Sequence, residues 1–397
     1  MTPPLSTRRF TALAAASVTA LLLTACGAGE QGSKDTNTSG GTSTSAGGAA
    51  DRAGTGEAKK DVAAWADAPQ WPDVPKLSKK IDLKGKRFTY VALGDQVPVI
   101  HGIGVGVQQA LSAAGAKVDT CDGKFNPTSV ASCLKTAGDE KVDGVITSFV
   151  DYQMAGPAFD QLARKGVKVV VGGVAPSGGR TSDATLAFYD NTPRVFALHE
   201  AMAKSAIAQL GDSAKVVWAK LMDSTTTKSA SAKGIAKFKE LCPGCQIESV
   251  EFTTVTLDKL GLAISAALLA NPDTNAIVVP VDTMVPSALQ GIQSAGKAGK
   301  VKVFSSSSDL AGLQRVKDGR QASDLGTPVL YEGWRFAHAM MQLLAGDEVS
   351  KGDQLVTRDF TKDNVGQLNL TPQKYLTDDW FGGSGYRDTF LSAWGLK

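Results

Sequence analysis

From Arg87 to about Ser306 the chain alternates short runs rich in β-branched residues with longer stretches of helical period. The short runs are RFTYVAL, AKVDT, VDGVITSF and VKVVVGG, followed by AKVVWAKL, QIESVEF, NAIVVPV and VKVFSS. Between them lie IHGIGVGVQQALSAAG, NPTSVASCLKTAG, YQMAGPAFDQLARKG, TPRVFALHEAMAKSAIAQLG, TKSASAKGIAKFKEL, LDKLGLAISAALLANP and MVPSALQGIQSAG. Strands that read as almost unbroken apolar runs are buried on both faces, which is the mark of parallel sheet covered by helices. The pattern occurs twice, over Arg87 to about Gly173 and Lys215 to about Ser306, so the predicted fold is α/β: two doubly wound parallel-sheet lobes. Asn126-Pro127 and Thr192-Pro193 each place a capping side chain before a proline suited to the first turn of a helix.

The N-terminus is different. Arg8 and Arg9 precede an apolar segment, Phe10 to Thr24, that is too short to span a bilayer and has the layout of a secretory signal. Leu23-Thr24-Ala25-Cys26 resembles the lipobox of bacterial lipoproteins. That resemblance implies a signal peptide over 1–25 and a lipid on Cys26 that anchors the chain to a membrane outside the cytoplasm. A soluble secreted protein cut after an Ala-x-Ala-like site is the plainer alternative. Arg8-Arg9-Phe10 also hints at a twin-arginine signal with poor spacing, which leaves the export route open.

Residues Gly27 to about Ala63 are mostly small, polar and charged, and such a mixture buries too little apolar surface to offset the entropy of ordering. The expectation for 26–80 is a disordered tether followed by an extended lead-in that carries Trp65 and Trp71. The net charge of +3 gives no argument for a nucleic-acid partner. Cys121 and Cys133 form one local pair and Cys242 and Cys245, in CPGC, another, a spacing that outside the cytosol suggests two disulfides. A redox role for CPGC is disfavoured because a helical run leads into it and Pro243-Gly244 ends that run. No second pair or neighbouring histidine completes a zinc site.

The two-lobed alternation, VDGVITSFVD, the crossover YDNTP and VDTMVPSAL resemble the type I periplasmic binding proteins, the ribose-binding-like receptors of ABC importers, over roughly Arg87 to Leu344. The resemblance implies a first lobe of 81–190 plus about 322–345 and a second lobe of 191–321, joined by a hinge; the remaining 346–397, which the resemblance does not cover, is expected as a C-terminal tail packed on the lobes. It also implies a small-molecule ligand, with carbohydrate the leading class, an ABC permease as partner, no cofactor, and a monomer.

In open α/β sheets ligands bind beyond the carboxyl ends of the strands. That rule selects Asp95, Gln96, Asp122, Ser148 and Asp151 in the first lobe and Asp223, Asp282 and Ser307 or Asp309 in the second. Tyr189 and Asp190 lie at the crossover. The resemblance makes Asp282 the leading candidate, because DTMVPSAL tracks a family segment whose aspartate contacts ligand. The competing reading of each such residue is a helix cap. Two departures weaken the sugar expectation: Val97-Pro98-Val99-Ile100 stands where sugar-binding relatives carry stacking aromatics, and Ser231 where they carry an arginine. Tyr152, Phe188, Tyr189 or Trp218 are the candidate substitutes.

A catalytic reading finds less support. Gly102 and Gly104 lack the third glycine of a dinucleotide fingerprint, and packing of a helix on the sheet accounts for Gly106. No Gly-x-Ser-x-Gly elbow, Walker loop or His-Glu-x-x-His motif occurs. Among the three histidines, His199 and His338 sit in helical patterns, while His101 lies near the first strand end. The expectation is a receptor and not an enzyme. A surface hydrolase or ligand-sensing module on the same scaffold is the alternative, and an export signal in place of a helix-turn-helix speaks against a repressor.

Overall fold

The computed structural model describes residues 46–353 and 358–397, so the signal segment, Cys26 and the first part of the expected tether lie outside the described residues. Two separate sheets are present. The first has the order β2-β1-β3-β4-β5, built from Lys117–Asp122, Arg87–Ala92, Gly144–Ser148, Lys168–Gly172 and Leu186–Tyr189, all parallel. The second has the order β11-β10-β9-β8-β6-β7, with β6 Lys215–Leu221, β7 Gln246–Phe252, β8 Ala276–Val278, β9 Lys302–Ser307, β10 Ser323–Gly326 and β11 Asp359–Thr361. Only β11 runs antiparallel, against β10.

The eight apolar runs all form strands. β5, β10 and β11 were not legible, because LAFY, SDLG and DFT are too short and too mixed to show a period.

Burial on both faces explains the unbroken runs. In β6, Val216 and Trp218 enter a core with α5 (Thr192–Leu210) and α6 (Thr225–Leu241), while Val217 and Ala219 enter another with α7 (Leu260–Ala270) and α8 (Val285–Ser294). Successive side chains of a strand point to opposite faces, so a strand between two helical layers needs apolar residues at every position. The first sheet is covered likewise by α2 (Pro98–Ala113) and α10 (Val329–Ala345) on one face, and by α3 (Pro127–Asp139) and α4 (Tyr152–Arg164) on the other.

Several expectations need correction. Gly106 does not serve contact with the sheet: its missing side chain lets α2 meet α10, where a Cβ would fall 2.5 Å from the Leu330 carbonyl oxygen. Gly104 faces the sheet instead, against the Tyr90 ring. Asn126 caps α3 as expected, accepting from the amides of Thr128 and Ser129 at 2.8 and 3.3 Å, but Thr192 is itself the first residue of α5 and its amide is held by Asp190 Oδ1 at 3.0 Å. β10 pairs in parallel with β9, so the return to the first lobe lies between Gly326 and Val329, not at residue 322.

Residues Ala46–Ala64, read as tether, form helix α1. Tertiary contacts order it where composition gave no signal. Ala58 is fully buried in the second-lobe core, Lys204 of α5 is paired with Glu57 at 3.2 Å and with Asp61, and Gly54 approaches α6 so closely that a Cβ would overlap the Leu241 carbonyl. The small residues serve close approach, not disorder.

Between α1 and β1 the chain has no regular secondary structure, and the Trp71 ring lies 4.6 Å from that of Tyr331 and 5.0 Å from that of Tyr386. The tail contributes β11 and three short helices, α9 (Leu310–Lys317) being the last helix before β10: α11 (Lys362–Val365), α12 (Pro372–Tyr375) and α13 (Tyr386–Ala393). α13 packs on α10 through the Trp394 indole, which stacks on Trp334 and donates to His338 Nδ1 at 2.8 Å. Cys121 is bonded to Cys133, and Cys242 to Cys245.

Candidate functional site

Among the described residues, six non-glycine residues have left-handed backbone, and five of them stand at or just past the carboxyl ends of strands: Lys124 and Phe125 after β2, Phe149 after β3, and Ser307 and Ser308 closing β9. Such backbone costs about 1–3 kcal/mol per residue and gathers at binding sites. Here it turns the chain sharply at the rim where both lobes present polar groups. The Phe125 ring occupies the space over Gly94, where a Cβ would fall 2.2 Å from it.

In the first lobe the strand-end residues are held mostly by local bonds. Asp122 Oδ1 accepts from the amides of Asp95 and Lys124 at 3.0 and 2.9 Å, which ties the β1 and β2 ends together. The Asp95 carboxylate in turn faces His101 Nδ1 at 3.1 and 3.2 Å. Gln96 is exposed. Ser148 is fully buried at the end of β3. Asp151 caps α4, taking the Gln153 amide at 2.9 Å and the Ser177 hydroxyl at 2.6 Å. At the crossover, Tyr189 is a core residue whose hydroxyl accepts from Arg335 Nε at 3.3 Å, and the Asp190 carbonyl accepts from the Gly352 amide at 2.8 Å.

The second lobe assembles more. Asp282 is fully buried at the end of β8: the Ser305 hydroxyl and Gln321 Nε2, the latter at 3.2 Å, donate to Oδ1, and the Asp309 amide donates to Oδ2 at 3.0 Å. Arg315 donates to the Asp282 carbonyl at 3.0 Å and lies 3.5 Å from its carboxylate. Asp309 caps α9 through the Gly312 amide at 2.6 Å, and Ser307 is buried beside it. Asp324, fully buried in β10, accepts from the Ser308 amide at 2.9 Å. Its other oxygen lies against Asp282, since a Cβ on Gly312 would fall 2.2 Å from Asp282 Oδ2 and 2.5 Å from Asp324 Oδ2. Asp223 stays outside this group, exposed, with both oxygens engaged by Thr254.

Two carboxylates this close cannot both ionise. Burial, then the charge of Asp282, holds the Asp324 carboxyl well above the usual range, so Asp324 carries a proton it can donate to Asp282. The same two causes push Asp309 up to about 6. Among the described residues, no group of three His, Cys, Asp or Glu could hold a metal ion.

The structure thus brings Asp282, Ser307 and Asp309 together, and Asp95 with Asp122, while Asp151 and Asp223 serve their own turns. Sequence reasoning missed Asp324, Arg315 and Gln321, whose only local hint was the polar run Ser305-Ser306-Ser307-Ser308-Asp309 at the end of an apolar strand. The proposed substitute aromatics are also corrected. Tyr152 and Phe188 pack with Phe159 in the outer core, Tyr189 packs on Phe336, and Trp218 is buried 6.4 Å from His199. Phe125 and Phe149, partly exposed at the strand ends, are the available rings.

Two parallel-sheet lobes, linked by crossings and lined at the strand ends with hydrogen-bonding groups, define a two-lobed α/β solute-binding protein. The chain belongs to the periplasmic binding protein family: the model described as "Periplasmic binding protein domain" matches residues 94–348. This is a family of extracytoplasmic receptors, not of catalysts. No curated protein matches the sequence. Among solved structures, the chain is similar to a 5-methylthioribose transporter solute-binding protein from Thermotoga lettingae TMO (15% identity, TM-score 0.64, 80% of this chain and 99% of that one). It is also similar to an ABC transporter periplasmic solute-binding protein from Actinobacillus succinogenes 130z with bound D-allose (14%, 0.62, 71% and 100%). A periplasmic ribose ABC transporter protein from Conexibacter woesei DSM 14684 gives 19%, 0.60, 72% and 95%. At these identities the likeness describes the fold.

Proposed function

We propose that this protein is the sugar-binding component of an ABC importer, which captures a sugar or sugar derivative between its lobes and delivers it to a permease. The observation that carries this reading is the polar cluster at the ends of β8 and β9, in which buried Asp282 holds the Asp309 amide and so positions Asp309 and Ser307, groups suited to sugar hydroxyls. Asp95, Gln96, Asp122 and Ser148 at the strand ends and Asp190 at the crossover are the remaining candidates. Phe125 and Phe149 would supply the ring faces that Val97 to Ile100 lack. Support also comes from the similar structures, which were solved with 5-methylthioribose and D-allose. Hinge closure would follow from contacts each lobe makes only when ligand bridges the gap.

We further propose that a lipid on Cys26 anchors the receptor to the membrane. Titration calorimetry against pentoses, hexoses and polyols tests the first proposal: a sugar recovered unchanged from a tight complex, weakened by Asp282→Ala in a folded protein, is expected. Turnover of the sugar would favour the hydrolase alternative. Cys26→Ser should release the protein from the membrane fraction, and continued association would remove the anchor.

A further inference from the structure

The family match ends at residue 348, yet the tail beyond it reaches the strand-end cluster. α12 ends on Tyr375, whose amide is bonded to the Thr371 carbonyl at 3.3 Å. The Tyr375 ring lies 6.0 Å from that of Trp380 and shares an apolar cluster with Leu310 and Leu313 of α9, and it also packs against the core of the first lobe. α9 is the helix whose first turn carries Asp309 and Gly312, the latter wedged against Asp282 and Asp324. The ring therefore touches elements of both lobes, beside the start of α9.

Its hydroxyl is buried and has no hydrogen-bond partner. The carboxylates that act on it are those of Asp309, Asp282 and Asp324, which, with burial as the larger cause, hold the phenol well above its ordinary range. A buried hydroxyl without a partner is a cost that the ligand-free fold could avoid with phenylalanine.

We infer that Tyr375, supplied by the C-terminal tail, is a ligand-contacting residue of the sugar site, its hydroxyl paired only when a guest donor or acceptor lies between it and Asp309. The inference rests on the reading of these strand ends as the sugar site. A phenol accepts and donates, whereas the facing carboxylates chiefly accept, so the matching guest group is one that does both: a sugar hydroxyl. A ligand with a methyl or hydrogen there would leave the phenol unpaired and be rejected.

The test compares wild-type and Tyr375→Phe protein, as the full exported chain, by thermal unfolding alone and with D-ribose, D-allose, 5-methylthioribose and myo-inositol, then by calorimetry on any sugar that binds. Expected are an unchanged or higher melting temperature for Tyr375→Phe without sugar and an affinity at least tenfold weaker with it. A clearly lower melting temperature without sugar means that the hydroxyl already has a structural partner, and overturns the inference. Unchanged affinity for a bound sugar also overturns it. If none of the four sugars stabilises wild type, the carbohydrate reading is what fails, and the sugar-free comparison still decides whether the hydroxyl is held unpaired.

Discussion

Arg194 Nε lies 2.5 Å from Glu332 Oε1, and both side chains are 2% exposed. Arg194 is in the first turn of α5, which opens the second lobe, and Glu332 is in the first turn of α10, which reopens the first. Asn191 Nδ2 adds a bond to the other Glu332 oxygen at 3.3 Å. A buried ion pair therefore ties the crossing that enters α5 to the crossing that enters α10.

Removing one member of such a pair leaves its partner's charge desolvated without that counter-ion. Glu332→Gln should cost about 3 kcal/mol in urea unfolding. Replacing both residues together, Arg194→Met with Glu332→Leu, should recover most of that loss. A single variant as stable as wild type would show that the pair does not hold the crossing.

Asp359 of β11 is fully enclosed and takes the hydroxyls of Ser205 and Ser323, each at 2.5 Å. Burial pushes its carboxyl up to about 6. Because the folded value is raised, its stabilising contribution is complete below the unfolded value near 4 and is lost as pH rises through about 6. Asp359→Asn should therefore be more stable than wild type at pH 8, by up to about 3 kcal/mol, with the advantage vanishing near pH 4. Unfolding free energies of the two proteins measured from pH 4 to 8 check this, and a constant difference would refute it.

His199 and His338 titrate with the opposite sign. Burial lowers them to about 4 and about 3, and the Trp394 indole donates to His338, which requires an unprotonated Nδ1. Their contribution is present above the unfolded value near 6.5 and is lost as pH falls through those lower values. Near-ultraviolet circular dichroism should show the Trp334–Trp394 stack, 5.6 Å between centroids, failing on the acid side of pH 4. Persistence of that signal at pH 3 would contradict the assignment.

Gly106 and Gly333 meet where α2 crosses α10, and a Cβ on Gly333 would fall 2.4 Å from the Ile103 carbonyl oxygen. Gly106→Val should destabilise by about 1–3 kcal/mol, because backbone on backbone leaves no flexible side chain to yield. Chemical denaturation reads the change. An effect below about 0.5 kcal/mol would mean that the helices separate freely.

The Cys121–Cys133 bond closes a loop of 12 residues' separation, and Cys242–Cys245 one of 3. Loop entropy ranks them at about 3 and about 2 kcal/mol. Paired replacement by alanine, one bond at a time, should lower stability in that order.

Much of this was present in the chain before it folded. A strand between two helical layers must be apolar at every position, so runs such as VKVVVGG announced both the parallel sheets and their covering, and repetition of the pattern announced two lobes. Cysteine spacing and the Asn126-Pro127 cap are equally local. What tertiary structure alone decided are relations between residues far apart in sequence: α1 ordered by Lys204 and Leu241, β10 assigned to the second lobe by its pairing with β9, and Asp324 brought against Asp282. Tyr375 is the extreme case, a tail residue set among carboxylates that precede it by 51 to 93 positions, since no local period or motif records which distant groups a fold will bury together.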